Sequence, residues 1–275
     1  MRLLVSAILA ASGCLSPSHD ALLICHNANC AASSTVSGDD LLPSLDASLA
    51  LRTAEGRVVF DGIELDSVWN RAQKRCTFAH GPDPGAADFA TAAQRVVTHV
   101  ASAPPGAAGY GSVLYFKIEL KVDVGDGASH TPEERAAHIA CVTAAAHDAI
   151  RAGAASHNIV VPIFDSDDPT LLAAIDPAPF GGGPSGGCLF ETDADVALPP
   201  GFAPQIFTLA WFDLSDDAAA SLRTPALRTE TGRNDHGLAV WARSPSPQDI
   251  YAMLLHDPRF LVVNNVEEAR GVLTP

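Results

Sequence analysis

The sequence predicts an α/β protein, a single-domain (β/α)8 TIM barrel. Three observations carry this: eight strand-like apolar runs recur along the chain, helical segments separate most of them, and residues 21–275 have a length that suits one barrel of roughly 250 residues. Ala21 to Cys25 is a short apolar run ending in the polar cluster His26-Asn27-Ala28-Asn29, as a strand delivering a loop does. Leu41, Leu45 and Leu49 recur at helical spacing, giving a helix over 41–53. The second strand falls within Val58 to Ser67, and Asp88 to Ala101 is again helical before Pro104, Pro105 and Gly106 break the pattern. Val113 to Val122 reads as a long strand. Thr131-Pro132-Glu133-Glu134 then opens a helix to about Arg151, with a capping threonine, a first-turn proline and acids at the positive end of the dipole.

The second half continues the alternation more weakly. Strands are expected at Asn158–Phe164, Cys188–Glu191, Gln205–Phe212, Leu238–Ala242 and Phe260–Asn264, with helices at Pro169–Ile175, Ser215–Leu222 and Pro247–His256.

Residues 1–20 read as a separate leader. Met1-Arg2 followed by the apolar run Leu3 to Ala11 has the charged start and short hydrophobic core of a secretory signal, too short to span a bilayer as a mature helix. Ala11-Ser12-Gly13-Cys14 also fits a bacterial lipobox, in which Cys14 would be lipidated and anchor the protein. The expected location is therefore outside the cytoplasm, either secreted or as a membrane-anchored lipoprotein of the cell envelope. A hydrophobic content of 47% supplies a large core, and charged residues at 18% exclude global disorder. A formal charge of −15 argues against an electrostatic grip on nucleic acid or anionic bilayers. The cysteines left after the leader, at 25, 30, 76, 141 and 188, are odd in number; Cys25 with Cys30, or Cys30 with Cys76, would pin loops, but spacing leaves the connectivity open. No Cys-x-x-Cys pair exists to suggest structural zinc.

Two strands carry charge where a buried parallel strand would be continuously apolar. Along Val58 to Ser67, Glu64 and Asp66 point one way, and Ile63 and Leu65 the other. Neighbouring buried carboxylates repel and lose hydration, so a proton, a cationic partner or a hard divalent cation must compensate; Mg2+ or Ca2+ is the simplest. Lys117, Glu119 and Lys121 likewise share one face of the third strand, opposite Ile118 and Leu120. In a barrel both strands would aim these groups at the C-terminal mouth, where catalytic residues of such folds gather.

These residues, in this order, resemble the phospholipase-C-like phosphodiesterase superfamily, barrel enzymes that include the glycerophosphodiester phosphodiesterases and the sphingomyelinase D (phospholipase D) toxins. The resemblance runs from His26 to Asn265. His26-Asn27-Ala28-Asn29 is similar to the His-x-x-Asn of the sphingomyelinase D branch, Glu64 and Asp66 to the paired metal ligands, and Thr77-Phe78-Ala79-His80-Gly81 to the loop with the second catalytic histidine. Glu119-Leu120-Lys121 stands where the family has a third metal ligand and a phosphate-binding lysine; Val240-Trp241 and Val263-Asn264-Asn265 are similar to its last two strands. The resemblance implies His26 and His80 as catalytic groups, Glu64, Asp66 and Glu119 as ligands of Mg2+ or Ca2+, and Asn29, Lys121, Trp241 and Asn265 as substrate-binding residues. It further implies a monomer that cleaves a phospholipid, lysophospholipid or glycerophosphodiester. The chain has no arginine after His26, unlike glycerophosphodiesterases, which points to the phospholipase D branch; the toxins' terminal motif is also missing. Two other readings stay open: a non-catalytic barrel that binds a phosphorylated ligand, and a metal-independent phospholipase C of the phosphatidylinositol type. The remaining histidines, including His138 and His147, read as structural or surface groups, and His236 is the substitute candidate should His80 fail. Gly183-Pro184-Ser185-Gly186-Gly187 spells a serine-hydrolase elbow but lacks the strand before and helix after that the elbow requires, so it reads as a loop.

Overall fold

The structure, a computed structural model, describes residues 21–31, 38–81, 83–122, 130–181, 187–194, 196–211 and 237–274. The leader with Cys14, the elbow-like Ser185, the helix expected at 215–222 and His236 lie outside them.

The expected eight-strand alternation is present. Its strands are β1 (Leu22–Cys25), β2 (Gly62–Asn70), β5 (Val113–Lys121), β6 (Ile159–Asp165), β7 (Leu189–Asp193), β8 (Ile206–Ala210), β9 (Gly237–Ala242) and β10 (Phe260–Val263). All pair in parallel in this sequence, and β10 pairs with β1 to close the barrel. Helices α1 (Leu42–Leu49), α2 (Phe89–Ser102), α3 (Pro132–Ser156), α4 (Pro169–Ala173), α5 (Pro247–Leu254) and α6 (Val266–Leu273) lie between or after them. Two short strands not expected from the sequence, β3 (Arg75–Phe78) and β4 (Ala87–Asp88), extend the sheet: β3 folds back antiparallel on the overlong end of β2, and β4 pairs antiparallel with β3. The second strand also begins later than expected, because Val58 to Asp61 enters it as non-strand chain.

The period-2 alternation sorts each strand into two cores. Outward residues such as Ile63, Leu65, Ile118, Leu120 and Val240 are fully buried beneath the helices. Inward residues Ile24, Ile163, Ile206, Ala239, Phe260 and Val262 plug the lower barrel as a separate cluster. Gly62, two residues before Glu64 on the inward face, is glycine because a Cβ there would lie 2.6 Å from the Tyr115 carbonyl oxygen and 2.4 Å from Ile24 Cδ1. Above this plug the inward positions turn polar: strand register sets Glu64 beside Lys117, Asp66 beside Glu119, and Asp165 beside both Glu119 and Glu191.

The seam between β1 and β2 is fastened from below by α6. Arg270, buried, donates from Nη2 to Asp61 Oδ2 at 2.6 Å and from Nε to the Val59 carbonyl at 2.9 Å, and its guanidinium lies 3.7 Å from the centre of the Tyr110 ring. Asp61 Oδ2 also accepts the Leu23 backbone N–H at 2.9 Å. Arg270→Met should therefore destabilise the chain by about 3–5 kcal/mol in urea unfolding, since it leaves a buried carboxylate without its partner, and adding Asp61→Asn should restore part of the loss. A loss below 1 kcal/mol, or no rescue, would refute the lock.

His138 on α3 packs against β2 through a 3.0 Å hydrogen bond between Nε2 and Ser67 Oγ. Burial, then the charge of His130, depresses it to about 4, whereas an unfolded histidine titrates near 6.5. The unfolded chain thus binds the proton first, so stability present above pH 6.5 should fall as the pH drops toward 4. The pH dependence of the urea midpoint in that window should flatten in His138→Gln; an unchanged slope would assign it to other groups.

Candidate active site at the barrel mouth

The site is assembled from strand ends. His26 follows β1 directly and begins a single 3-10 turn, His26–Ala28, in which Asn27 (φ 48°) and Ala28 (φ 54°) are left-handed. That conformation suits asparagine and strains alanine. The turn persists because a Cys25–Cys30 disulfide closes around it and Ser48 Oγ accepts the Cys30 N–H at 2.8 Å and donates to the Ala28 carbonyl at 2.9 Å. The second disulfide, Cys76–Cys141, joins β3 to α3; Cys188 is free. Of the two pairings weighed from the sequence, Cys25–Cys30 forms and Cys30–Cys76 does not.

His26 is 9% exposed and stacks on Trp241 with ring centres 5.6 Å apart. Its Nδ1 lies 2.8 Å from Asn264 Oδ1, while Asn264 Nδ2 donates to the Asn29 carbonyl at 3.1 Å. Because that carbonyl can only accept, the amide orientation is set: Oδ1 accepts from Nδ1–H, which leaves Nε2 as the nitrogen that gains or loses the second proton. Nε2 stands 3.9 Å from Glu64 Oε2. His80 comes from the other side: the β2–β3 hairpin returns the chain along its own path, bringing His80 Nδ1 to 2.8 Å from Asp66 Oδ2 with the side chain 64% exposed.

Next to these rings, Glu64, Asp66 and Glu119 each offer an oxygen within 4.8 Å of the others. Burial would raise the Glu64 carboxyl, but the charges of Lys117, His26 and Lys121 overcome it and hold it below the ordinary range. Burial, then the charges of Asp66 and Asp165, pushes Glu119 well above that range, against the pull of Lys121 beside it. Lys117, 2% exposed, is penalised by burial yet kept firmly charged by Asp165, Glu191 and Glu64. Asp66 Oδ1 is fully buried and has no hydrogen-bond partner among the described residues. Three clustered carboxylates, one with an unsatisfied buried oxygen, fit a hard divalent cation.

A cavity of about 330 Å³ opens here, lined by His26, Glu64, His80, Glu119, Lys121 and Trp241 among others. The structure thus brings together seven of the nine expected site residues. Asn29 instead donates to Asp39 Oδ1 at 3.0 Å, and Asn265 donates to the Pro245 carbonyl at 2.7 Å and to Glu268 at 2.8 Å; neither lines the cavity. Asn27 and Asn264 stand at the site in their place. Alternation from the inward Val262 would have selected Asn264. Arg243, two residues past Trp241, also lines the cavity and binds Asp39 Oδ2 at 2.8 Å. Asp40 was not legible: a buried residue before α1, it lies among Asp66, Glu64 and Asp39, and burial, then those charges, pushes it up to about 9.

No family model and no curated protein sequence matches the chain. Solved structures do. One is a glycerophosphodiester phosphodiesterase from Parabacteroides distasonis, at TM-score 0.59 and 12% identity over 92% of this chain and 97% of that one. The chain has the fold of the glycerophosphodiester phosphodiesterases. A protein described as a glycerophosphoryl diester phosphodiesterase, from Silicibacter pomeroyi, matches at TM-score 0.59 and 14% identity over 92% and 93% of the two chains. A glycerophosphodiester phosphodiesterase from Agrobacterium tumefaciens matches at 0.51 and 12% over 93% and 100%.

Asp66→Asn should weaken divalent-cation binding by more than the ~10- to 100-fold lost when an outer-shell partner is removed, while circular dichroism and the melting curve stay native, since the change removes a repelling charge at constant volume. Unfolding of this variant would identify Asp66 as part of a structural ion pair instead.

Proposed function

We propose that the chain is a divalent-metal-dependent phosphodiesterase that cleaves the phosphodiester of a phospholipid, lysophospholipid or glycerophosphodiester. The observation that carries the reading is that two imidazoles lining one cavity each meet the Glu64–Asp66–Glu119 cluster, His26 at Glu64 and His80 at Asp66. Those three carboxylates would hold Mg2+ or Ca2+, which when bound supplies positive charge to offset that of the phosphodiester. Lys121 and Arg243 add cationic groups facing the same cavity, offsetting the lack of an arginine after His26.

The protein's own groups then divide the work. His26, its Nδ1–H held by Asn264, presents Nε2 as nucleophile or base. His80, held by Asp66 through Nδ1 and more open to solvent, is placed to protonate the leaving oxygen. Trp241 fixes the plane of the His26 ring and walls the cavity with an apolar face. Export belongs to the same reading: the leader-like residues 1–20 and two disulfides both suit an oxidising compartment, and a lipidated Cys14 would hold a monomeric enzyme near its lipid.

Purified protein with Mg2+ or Ca2+ should release choline or a similar alcohol from a lysophospholipid or glycerophosphocholine, and lose this with EDTA. Absence of turnover across such a panel would sink the proposal, and turnover that survives EDTA would favour a metal-independent phospholipase C.

The histidine roles give a sharper test. Activity should follow a bell-shaped pH profile, and His26→Asn or His80→Asn should each lower kcat by about 10²-fold or more with cation binding by the Glu64 cluster retained. The double variant should be little worse than the weaker single one, because both rings act on one reaction. Strictly multiplicative losses would show that they do not.

A further inference from the structure

Among the described residues, carboxylates at the barrel mouth outnumber the cations that face them. Glu64 is met by Lys117 at 3.0 Å, and Glu119 is met by Lys121. Among the described residues Asp66 is hydrogen-bonded by His80, on Oδ2, and its Oδ1 has no hydrogen-bond partner. Beside it Asp40, 7% exposed, has two buried oxygens and no hydrogen-bond donor for either among the described residues. Two adjacent buried carboxylates with three unmatched oxygens form an unfavourable arrangement unless a ligand joins them.

The chain holds Asp40 in place rather than letting it turn away. Its backbone is left-handed (φ 57°), and its N–H donates to the Asn27 carbonyl at 3.2 Å. The preceding Asp39 is clamped by Asn29 Nδ2 at 3.0 Å and Arg243 Nη2 at 2.8 Å. One oxygen of Asp40, one of Asp66 and one ring nitrogen of His80 lie within 4.8 Å of each other. This trio shares only Asp66 with the Glu64–Asp66–Glu119 cluster.

We propose that Asp40, Asp66 and His80 form a second divalent-cation site beside the Glu64–Asp66–Glu119 cluster, with the Asp66 carboxylate shared between the two. Two carboxylates and an imidazole suit Mn2+, Zn2+ or Fe2+ better than Mg2+ or Ca2+, which prefer oxygen alone. A proton shared between Asp40 and Asp66 is the rival occupant: it would cancel one charge but leave other oxygens unmatched, whereas a cation engages both carboxylates and the ring. Carboxylate-bridged pairs of ions lie about 3.5–4 Å apart and recur where an in-line displacement at phosphorus must be steadied on both sides. The inference takes the Glu64 cluster as the first site from the phosphodiesterase reading, and it assigns the ion to His80 Nδ1, the nitrogen now 2.8 Å from Asp66, so that Nε2–H stays available to protonate the leaving oxygen.

Mn2+ is the probe, because both donor sets accept it. The full chain, stripped with a chelator and titrated with Mn2+, should bind two ions with a spin-coupled electron paramagnetic resonance spectrum. Asp40→Asn should bind one and lose the coupling. His80→Ala should do the same, and its mostly exposed side chain makes it a variant that folds even if Asp40→Asn does not. One Mn2+ per wild-type chain, or two retained in both variants, overturns the site. Turnover separates the two readings: two coupled ions without hydrolysis uphold this site and remove the phosphodiesterase, whereas hydrolysis with one bound ion does the reverse.

Discussion

The barrel mouth depends on one buried ammonium group. Lys117 reaches Glu64 at 3.0 Å, Asp165 at 2.9 Å and Glu191 at 2.7 Å, joining side chains from four adjacent strands. Glu191 is further held by Thr208 from the next strand. An ammonium group taken out of water is tolerable only with such complete pairing. The network occupies the level between the apolar plug around Ile24, Ile163 and Val262 and the open cavity. Lys117 engages Glu64 Oε1, leaving Oε2 to meet the Asn27 N–H at 3.3 Å and to face His26. The orientation of the candidate site is thereby inherited from a charge pattern inside the barrel rather than from the loops above it.

What was legible in the sequence follows from period. Glu64, Asp66, Lys117, Glu119 and Lys121 could be placed because strand alternation assigns a face without knowledge of any partner. The eight barrel strands were found as short apolar runs separated by helical segments and turn residues. The β3–β4 hairpin was missed because runs of four and two residues are too short to show a period. Asp40 and Arg243 were missed because each reaches the site from outside regular structure, where only tertiary contact decides direction. Asn29 was chosen over Asn27 on motif spacing, and the left-handed turn at Asn27 and Ala28 carries Asn29 away.

The two imidazoles meet unequal environments. His26 is packed between Trp241 and Asn264, whereas His80 arrives on a hairpin appended to the barrel and stays open to water. A buried ring is held in one orientation by its neighbours, and an exposed ring exchanges its proton with solvent readily. The fold thus separates precision from access, assigning the first to a strand end and the second to an added ribbon.

The crosslinks follow that same division. Cys25–Cys30 spans 5 positions of sequence and encloses His26, whereas Cys76–Cys141 spans 65 and fastens the ribbon four residues ahead of His80. By loop-closure entropy alone the short ring stabilises the whole chain by roughly 2 kcal/mol and the long one by roughly 4 kcal/mol. The short ring's larger effect is local, since it confines the one turn whose backbone an alanine resists. Reduction would leave the strands, β3 among them, paired by their own ladder while removing one restraint from each imidazole-bearing segment. For this barrel, each of the two crosslinks lies close in sequence to one ring of the pair that the scaffold carries.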